Sequence, residues 1–210
     1  MGRTPYQRTS ETDEALAKKF KKLFRQNRLT WFDELGIMQT KKHIIKLYGK
    51  LEKIMFQEFY DVAKVVHKEV KEDLIAMGFV GTSEEPGEEF IKSFFKSYSP
   101  TMQYVLLHEI ARKQSYLFEA LVSDGTRAMQ AYQKSEKYFT RMTSDYFIEL
   151  EDSVALKVYD DFGITEFEWV AEIDIKTCDI CESYSGEIFS RNEIPTKPHR
   201  GCRCYILPIR

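Results

Sequence analysis

Cysteine is absent from residues 1–177 of this 210-residue chain. Proline is scarce as well: there are six, with none between Pro5 and Pro86. That absence permits long uninterrupted helices. No apolar run approaches the ~20 residues of a membrane span. The first residues, Met-Gly-Arg-Thr-Pro, lack an apolar signal core, and Tyr6 stands where a myristoylation site has Ser or Thr. No N-x-S/T acceptor occurs. The expectation is a chain made and kept in a cytosol, where thiols stay reduced.

Enzyme signatures are missing too. There is no P-loop, no G-x-G-x-x-G and no G-x-S-x-G elbow. His108-Glu109 begins like a metalloprotease helix, but the residue that should complete it is Arg112. His43 and His67 are lone histidines on a helical pattern and suggest no site. The carboxylate pairs Glu84-Glu85, Glu88-Glu89 and Asp160-Asp161 read as solvated faces or helix-dipole partners.

What is present is a large apolar fraction, 43%, with 14% aromatic and 30% charged residues. That suits a folded core under a well-solvated surface. Net charge is −2 but unevenly spread. Residues 1–53 hold thirteen Lys/Arg against six Asp/Glu, and the remainder reverses the balance. A basic end suits contact with an acidic partner.

The pattern predicts an α+β chain, mainly α: a helical bundle with a long helix, then a small β-rich C-terminal module stapled by zinc. Three regions are expected: a basic arm or helix over 1–35, a helical region over 36–140, and the module over 141–210. Ser10 and Asp13 resemble a capping box opening a helix to about Leu29. Its apolar stripe is Leu16, Phe20, Leu23 and Phe24. Around it lie Lys18, Lys19, Lys21, Lys22, Arg25 and Arg28, either a solvated face or a surface for DNA phosphates or an acidic protein. Trp31 and Phe32 follow as core or anchor, and Gly36 breaks the pattern. A helix of about 55 Å is predicted from Thr40 to Met77, with Gly78 and Gly81 as stops. A short helix over 88–98, a helix opened by Ser99-Pro100 and running to Val122, and a helix from Thr126 to Phe162, interrupted near Thr143-Ser144, complete the bundle. Gly163 closes it. Strands are expected at 167–173, 187–189 and 204–207.

The chemistry is in the tail. Cys178-x2-Cys181 is followed, seventeen residues on, by His199-x2-Cys202-x-Cys204. Each C-x2-C or H-x2-C turn can aim two donors at one cation, so two turns make a tetrahedral zinc site. Five candidates compete for four positions: Cys178, Cys181 and His199, with Cys202 or Cys204 as the fourth. Two disulfides, packed free thiols, or a Cys178–His199 nucleophile and base are the other readings. A sheet this small buries little core, so a metal staple is the expected remedy.

Trp169, Asp174, Thr-Cys-x-x-Cys, Ser185-Gly186 and the ending Pro-His-x-x-Cys-Arg-Cys together resemble phage minor head proteins. This is the head-morphogenesis family of the phage Mu F protein and the phage SPP1 minor head protein. The resemblance covers residues 140–210. Members carry Pro after the His, where this chain has Arg200. The resemblance implies a non-enzymatic virion component in the head interior or near the portal, assembled in the host cytoplasm in several copies. It implies the portal and major capsid proteins as partners, with a part in genome packaging or ejection. Phage DNA would be met without sequence preference, and no membrane is involved. A zinc-dependent nuclease-like enzyme using His199, with Asp174, Asp179, Asn192 or Glu193 nearby, is one alternative. A zinc-ribbon interaction module unrelated to phage is the other.

Overall fold

The computed structural model describes residues 5–27, 37–175 and 177–209. The residues Arg28, Trp31, Phe32 and Gly36 lie outside that set, so the expectations placed on them stay untouched. Among the described residues there are six helices and five short strands, the mainly α, partly β composition that the patterning predicts. The helices are α1 (Pro5–Gln26), α2 (Ile37–Ala76), α3 (Glu88–Lys96), α4 (Leu106–Ser123), α5 (Gly125–Asp161) and α6 (Asp179–Tyr184). The strands are β1 (Tyr98–Ser99), β2 (Tyr104–Val105), β3 (Glu166–Val170), β4 (Ile188–Ser190) and β5 (Tyr205–Pro208).

Helix α5 is the centre of the body, packed against α1, α2 and α4. Its buried positions Ala128, Tyr132, Phe139, Met142, Tyr146, Leu150, Val154 and Val158 recur three, four or seven apart, the spacing of one helix face. Helix α2 answers with Ile44, Leu47, Leu51, Met55, Phe59, Val62, Val66, Val70 and Leu74. At 40 residues it runs about 60 Å. Gly49 sits where an added Cβ would meet nothing, so this mid-helix glycine costs propensity but no packing. Rings lock the helices together. Phe139 lies 6.5 Å from Phe20, 6.3 Å from Phe24 and 6.0 Å from Tyr48. Phe59 lies 4.8 Å from Phe147, tilted against it, and meets Phe95 edge-on at 5.3 Å.

Several local expectations are corrected. Helix α1 begins at Pro5, upstream of the expected Ser10 cap. Asp13 instead accepts a hydrogen bond from the buried Thr143 hydroxyl, which ties α1 to α5. That tertiary partner replaces the local cap. No break occurs at Thr143-Ser144, since Thr143 is fully buried and bonded within a continuous α5. The position between residues 140 and 141 therefore lies inside one helix. Ser99-Pro100 does not open a helix. The Ser99 hydroxyl accepts from the Met102 N–H at 2.8 Å, and the chain makes a β1–β2 hairpin before α4 starts at Leu106. A side chain that satisfies a turn N–H diverts the backbone from the helix. Asp160 and Asp161 end α5 at the pole where the dipole disfavours carboxylates. Cations compensate: Arg191 forks onto Asp160 at 2.7 and 3.0 Å, and Lys157 reaches Asp161 at 2.6 Å.

The tail forms a three-stranded antiparallel sheet in the order β4-β3-β5. Phe167 faces Phe189 and Trp169 faces Ile206 across its two ladders. All three strands are short, and β3 ends at Val170 rather than Ile173.

Candidate metal centre

The first pair of candidate ligands is organised by α6, a six-residue helix where only a turn was foreseen. Cys178 is its N-cap: the thiol sulfur accepts from the Cys181 N–H at 3.4 Å. One helical turn then places both sulfurs on the same side. Around this knuckle, Thr177 donates to the Glu172 carbonyl at 2.7 Å and Arg203 grips Asp174 at 2.6 Å. The N–H of Gly186 donates to the Trp169 carbonyl at 2.8 Å, and the Trp169 N–H donates to the Glu187 carbonyl at 2.9 Å. The knuckle is thereby fixed to β3.

The second pair hangs on α5. Asp145 accepts from the Gly201 N–H at 2.7 Å and from Arg200 Nε at 3.1 Å. Gly201 has φ +70°, a left-handed turn that glycine adopts without strain. His199 Nδ1 donates to the Arg200 carbonyl at 2.9 Å, which leaves Nε2 as the free lone pair. That nitrogen lies 3.5 Å from Cys181 Sγ, and Cys202 Sγ lies 3.6 Å from the same sulfur.

These distances suit a bound metal ion. An ion held tetrahedrally at about 2.3 Å from sulfur and about 2.0 Å from nitrogen sets S···S edges near ~3.8 Å and S···N edges near ~3.6 Å. A disulfide needs about 2.05 Å. All four cysteines are free thiols, so the expected alternative of two disulfides does not describe this structure. The donor atoms form two groups, Cys178–Cys181–His199 and Cys181–Cys202–Cys204, each within 4.8 Å and joined at Cys181. The residues are close enough to hold a metal ion. Among the described residues no carboxylate joins either group. Asp174 is held by Arg203, and Glu193 accepts from the Ser190 hydroxyl at 2.6 Å.

The thiols titrate as a unit. The Cys181 N–H holds the Cys178 thiol below its ordinary range. Burial pushes Cys181 up to about 12. The hydrogen bond between Cys202 and Cys204 raises the first and lowers the second, so the two share a proton. The Arg200 carbonyl raises His199. A metal ion replaces such protons, and binding releases them.

Three supporting residues escaped the sequence reading: Asp145, Asp152 and Lys197. The Lys197 ammonium is buried, bonds the Cys204 carbonyl and meets Asp152 at 3.0 Å. Against the penalty of burial, Asp152 first and then the Cys202 and Cys204 thiols hold its pKa above the ordinary lysine value. The available signal was spacing. Asp145, Asp152 and Asp160 recur at seven and eight residues along α5, one helix face, and receive Arg200, Lys197 and Arg191 in antiparallel order.

The basic residues near the N-terminus are placed as follows. Leu16, Phe20, Leu23 and Phe24 are buried, so α1 is a packed member of the bundle with its cations outward. Lys18 faces Glu14 at 3.8 Å, and Lys19 pairs with Glu58 of α2. Lys21, Lys22 and Arg25 are exposed. No helix among the described residues is long and apolar enough to cross a membrane.

No protein-family model, curated protein or solved structure matches the chain.

Proposed function

We propose that the chain is a structural component of a phage head, of the minor head protein class, and that its Cys/His cluster holds one zinc ion. The observation that carries this reading is the meeting of two donor groups, Cys178–Cys181–His199 and Cys181–Cys202–Cys204, at the shared Cys181, in a tail whose motif resembles that class. In this reading Cys202 takes the fourth position, because its sulfur makes a tetrahedral edge with Cys181. Cys204 stands behind it as an outer-sphere neighbour. Three thiolates, one imidazole and Zn²⁺ carry a net single negative charge, and the buried Lys197–Asp152 ion pair stands beside it.

Protein donors fill this coordination sphere, which supports a structural ion and a chain without catalytic activity. The zinc-clasped module serves as a rigid docking piece towards the portal and major capsid proteins. The outward cations of α1 reach packaged DNA or an acidic shell surface. Such contact is with phosphates and weakens steeply with salt. The test is quantitative mass spectrometry of purified virions, together with DNA retention across a salt series. The reading predicts several copies per virion and a retention that collapses between about 50 and 200 mM salt. Virions lacking the chain, or retention indifferent to salt, would contradict it.

A further inference from the structure

Between the module and the body lies a cleft of ≈ 580 Å³, walled by α3, the β1–β2 hairpin, α5, the 191–197 segment and Trp169. That size falls in the range of small-ligand sites. Rings dominate its walls: Phe90, Phe94, Tyr98, Tyr146 and Trp169. Four charged side chains line it, and three are accounted for. Arg191 is forked onto Asp160, outside the cleft, and Lys197 is paired with Asp152 at 3.0 Å.

Glu149 is the exception. Its carboxylate accepts from the Ser99 hydroxyl at 2.6 Å, and no basic side chain pairs with it among the described residues. Burial raises its pKa, the Ser99 and Thr101 hydroxyls lower it, and the carboxylates of Asp152 and Asp145 raise it further. An anion entering the cleft would meet this negative field in a poorly solvated setting. A neutral apolar guest would bury the carboxylate without a counter-charge.

A second, independent observation points to a guest. Tyr146 is 2% exposed, and its phenol oxygen is buried without a well-formed hydrogen bond, although the Tyr104 hydroxyl lies nearby. Buried polar atoms left unpaired cost about 1–3 kcal/mol each. Tyr146 and Glu149 are three apart on α5, so they share a face. Tyr98, 60% exposed, stands at the mouth.

We propose that this cleft binds an organic cation, a guanidinium or alkylammonium group on an apolar stem, with Glu149 as counter-charge and the rings as its seat. The Tyr146 oxygen accepts a second N–H from the cation. Ring faces attract the charge through their quadrupoles. The same chemistry is offered by a free amine and by an Arg or Lys side chain of a partner protein. The site does not depend on the identity of the metal.

The test is calorimetric titration of the full, metal-loaded chain with three probes: agmatine, a blocked arginine dipeptide, and a neutral alkyl alcohol matched to agmatine in length. The proposal expects the cationic probes to bind and the alcohol to bind at least about tenfold more weakly. Agmatine equal to the peptide identifies a free amine as sufficient, and a preference for the peptide identifies a partner's side chain. E149Q keeps a carbonyl for Ser99 and is expected to lose about tenfold in affinity at unchanged melting temperature. Y98A, at an exposed position that cannot unfold the core, is expected to lose about threefold. Failure of both cations to bind, equal binding of the alcohol, or unaltered affinity in both variants would overturn the proposal. Metal content, measured on the same samples, reports on the zinc reading separately.

Discussion

The helical body and the C-terminal module solve the same problem with different means. The body buries continuous apolar stripes from α1, α2, α4 and α5, with ring clusters between them. Among the described residues beyond 162, the module buries Ile164, Phe167, Trp169, Ala171, Cys181, Cys202, Cys204, Ile206 and Pro208. Three of those nine are cysteines whose sulfurs are close enough to hold a metal ion. A core that small contributes little by transfer of apolar surface alone. The body also lends the module its footing, through the row of aspartates on α5. What the contrast teaches is that the body is held by packing, while the module, in the proposed reading, is held by coordination and charge.

The sharpest way to break the contrast is to remove the proposed ion. Chelation, or Cys181→Ser, is expected to remove a contribution on the order of 10 kcal/mol from the module. Helical circular dichroism should persist while amide protection is lost across 166–208. Joint loss of helix and sheet would show that the two parts do not differ in this way. A packing lesion should do the reverse. Phe139→Ala is expected to cost about 3–5 kcal/mol in denaturant unfolding while leaving metal content intact.

The charge row comes next. Asp152→Asn leaves the Lys197 ammonium, 9% exposed, without its partner, and is expected to cost about 3 kcal/mol. The double variant Asp152→Leu with Lys197→Met should recover most of that loss, and a double-mutant cycle measures the coupling. Gly81→Ala is smaller. The added Cβ would come within 2.7 Å of the Phe162 ring where the 81–87 segment crosses the end of α5, and about 1–3 kcal/mol is expected by thermal melt.

The smallest effect concerns pH. His67 is 6% exposed, meets the Ser83 hydroxyl at 3.1 Å, and has its pKa lowered first by burial and then by Lys71 and Lys157. The folded state therefore binds fewer protons than the unfolded one below the ordinary histidine value of 6.5. The sign follows: the contribution is complete above that value and declines as pH falls towards the lowered folded value. Melting temperatures between pH 7.5 and 5 should fall less in His67→Gln than in the parent.

Much of the body was legible because its elements follow one periodicity. Of the predicted stripe, Ile44, Leu47, Leu51, Phe59, Val62, Val66, Val70 and Leu74 are buried as the 3.6-residue repeat requires, Ile54 is half-buried, and Met77, just past the helix end, is exposed. The missed features were decided by distant partners. The Thr143 hydroxyl reaches Asp13 across 130 positions, so no local window could show that α5 continues there. Ser99 reads as a helix cap until Glu149 and Met102 claim its oxygen. In the tail, cysteine spacing identified the candidate ligands. The residues that aim them, Asp145 and Lys197, carry no motif and are recognised only when α5 and the second knuckle meet.

Native mass spectrometry of the intact chain, before and after chelation and with thiols counted, tests the central claim most directly. The account predicts one zinc ion per chain, four titratable thiols once the ion is removed, and no metal retained by a Cys181→Ser chain. A metal-free chain with two disulfides, or one whose metal survives that substitution, would contradict it.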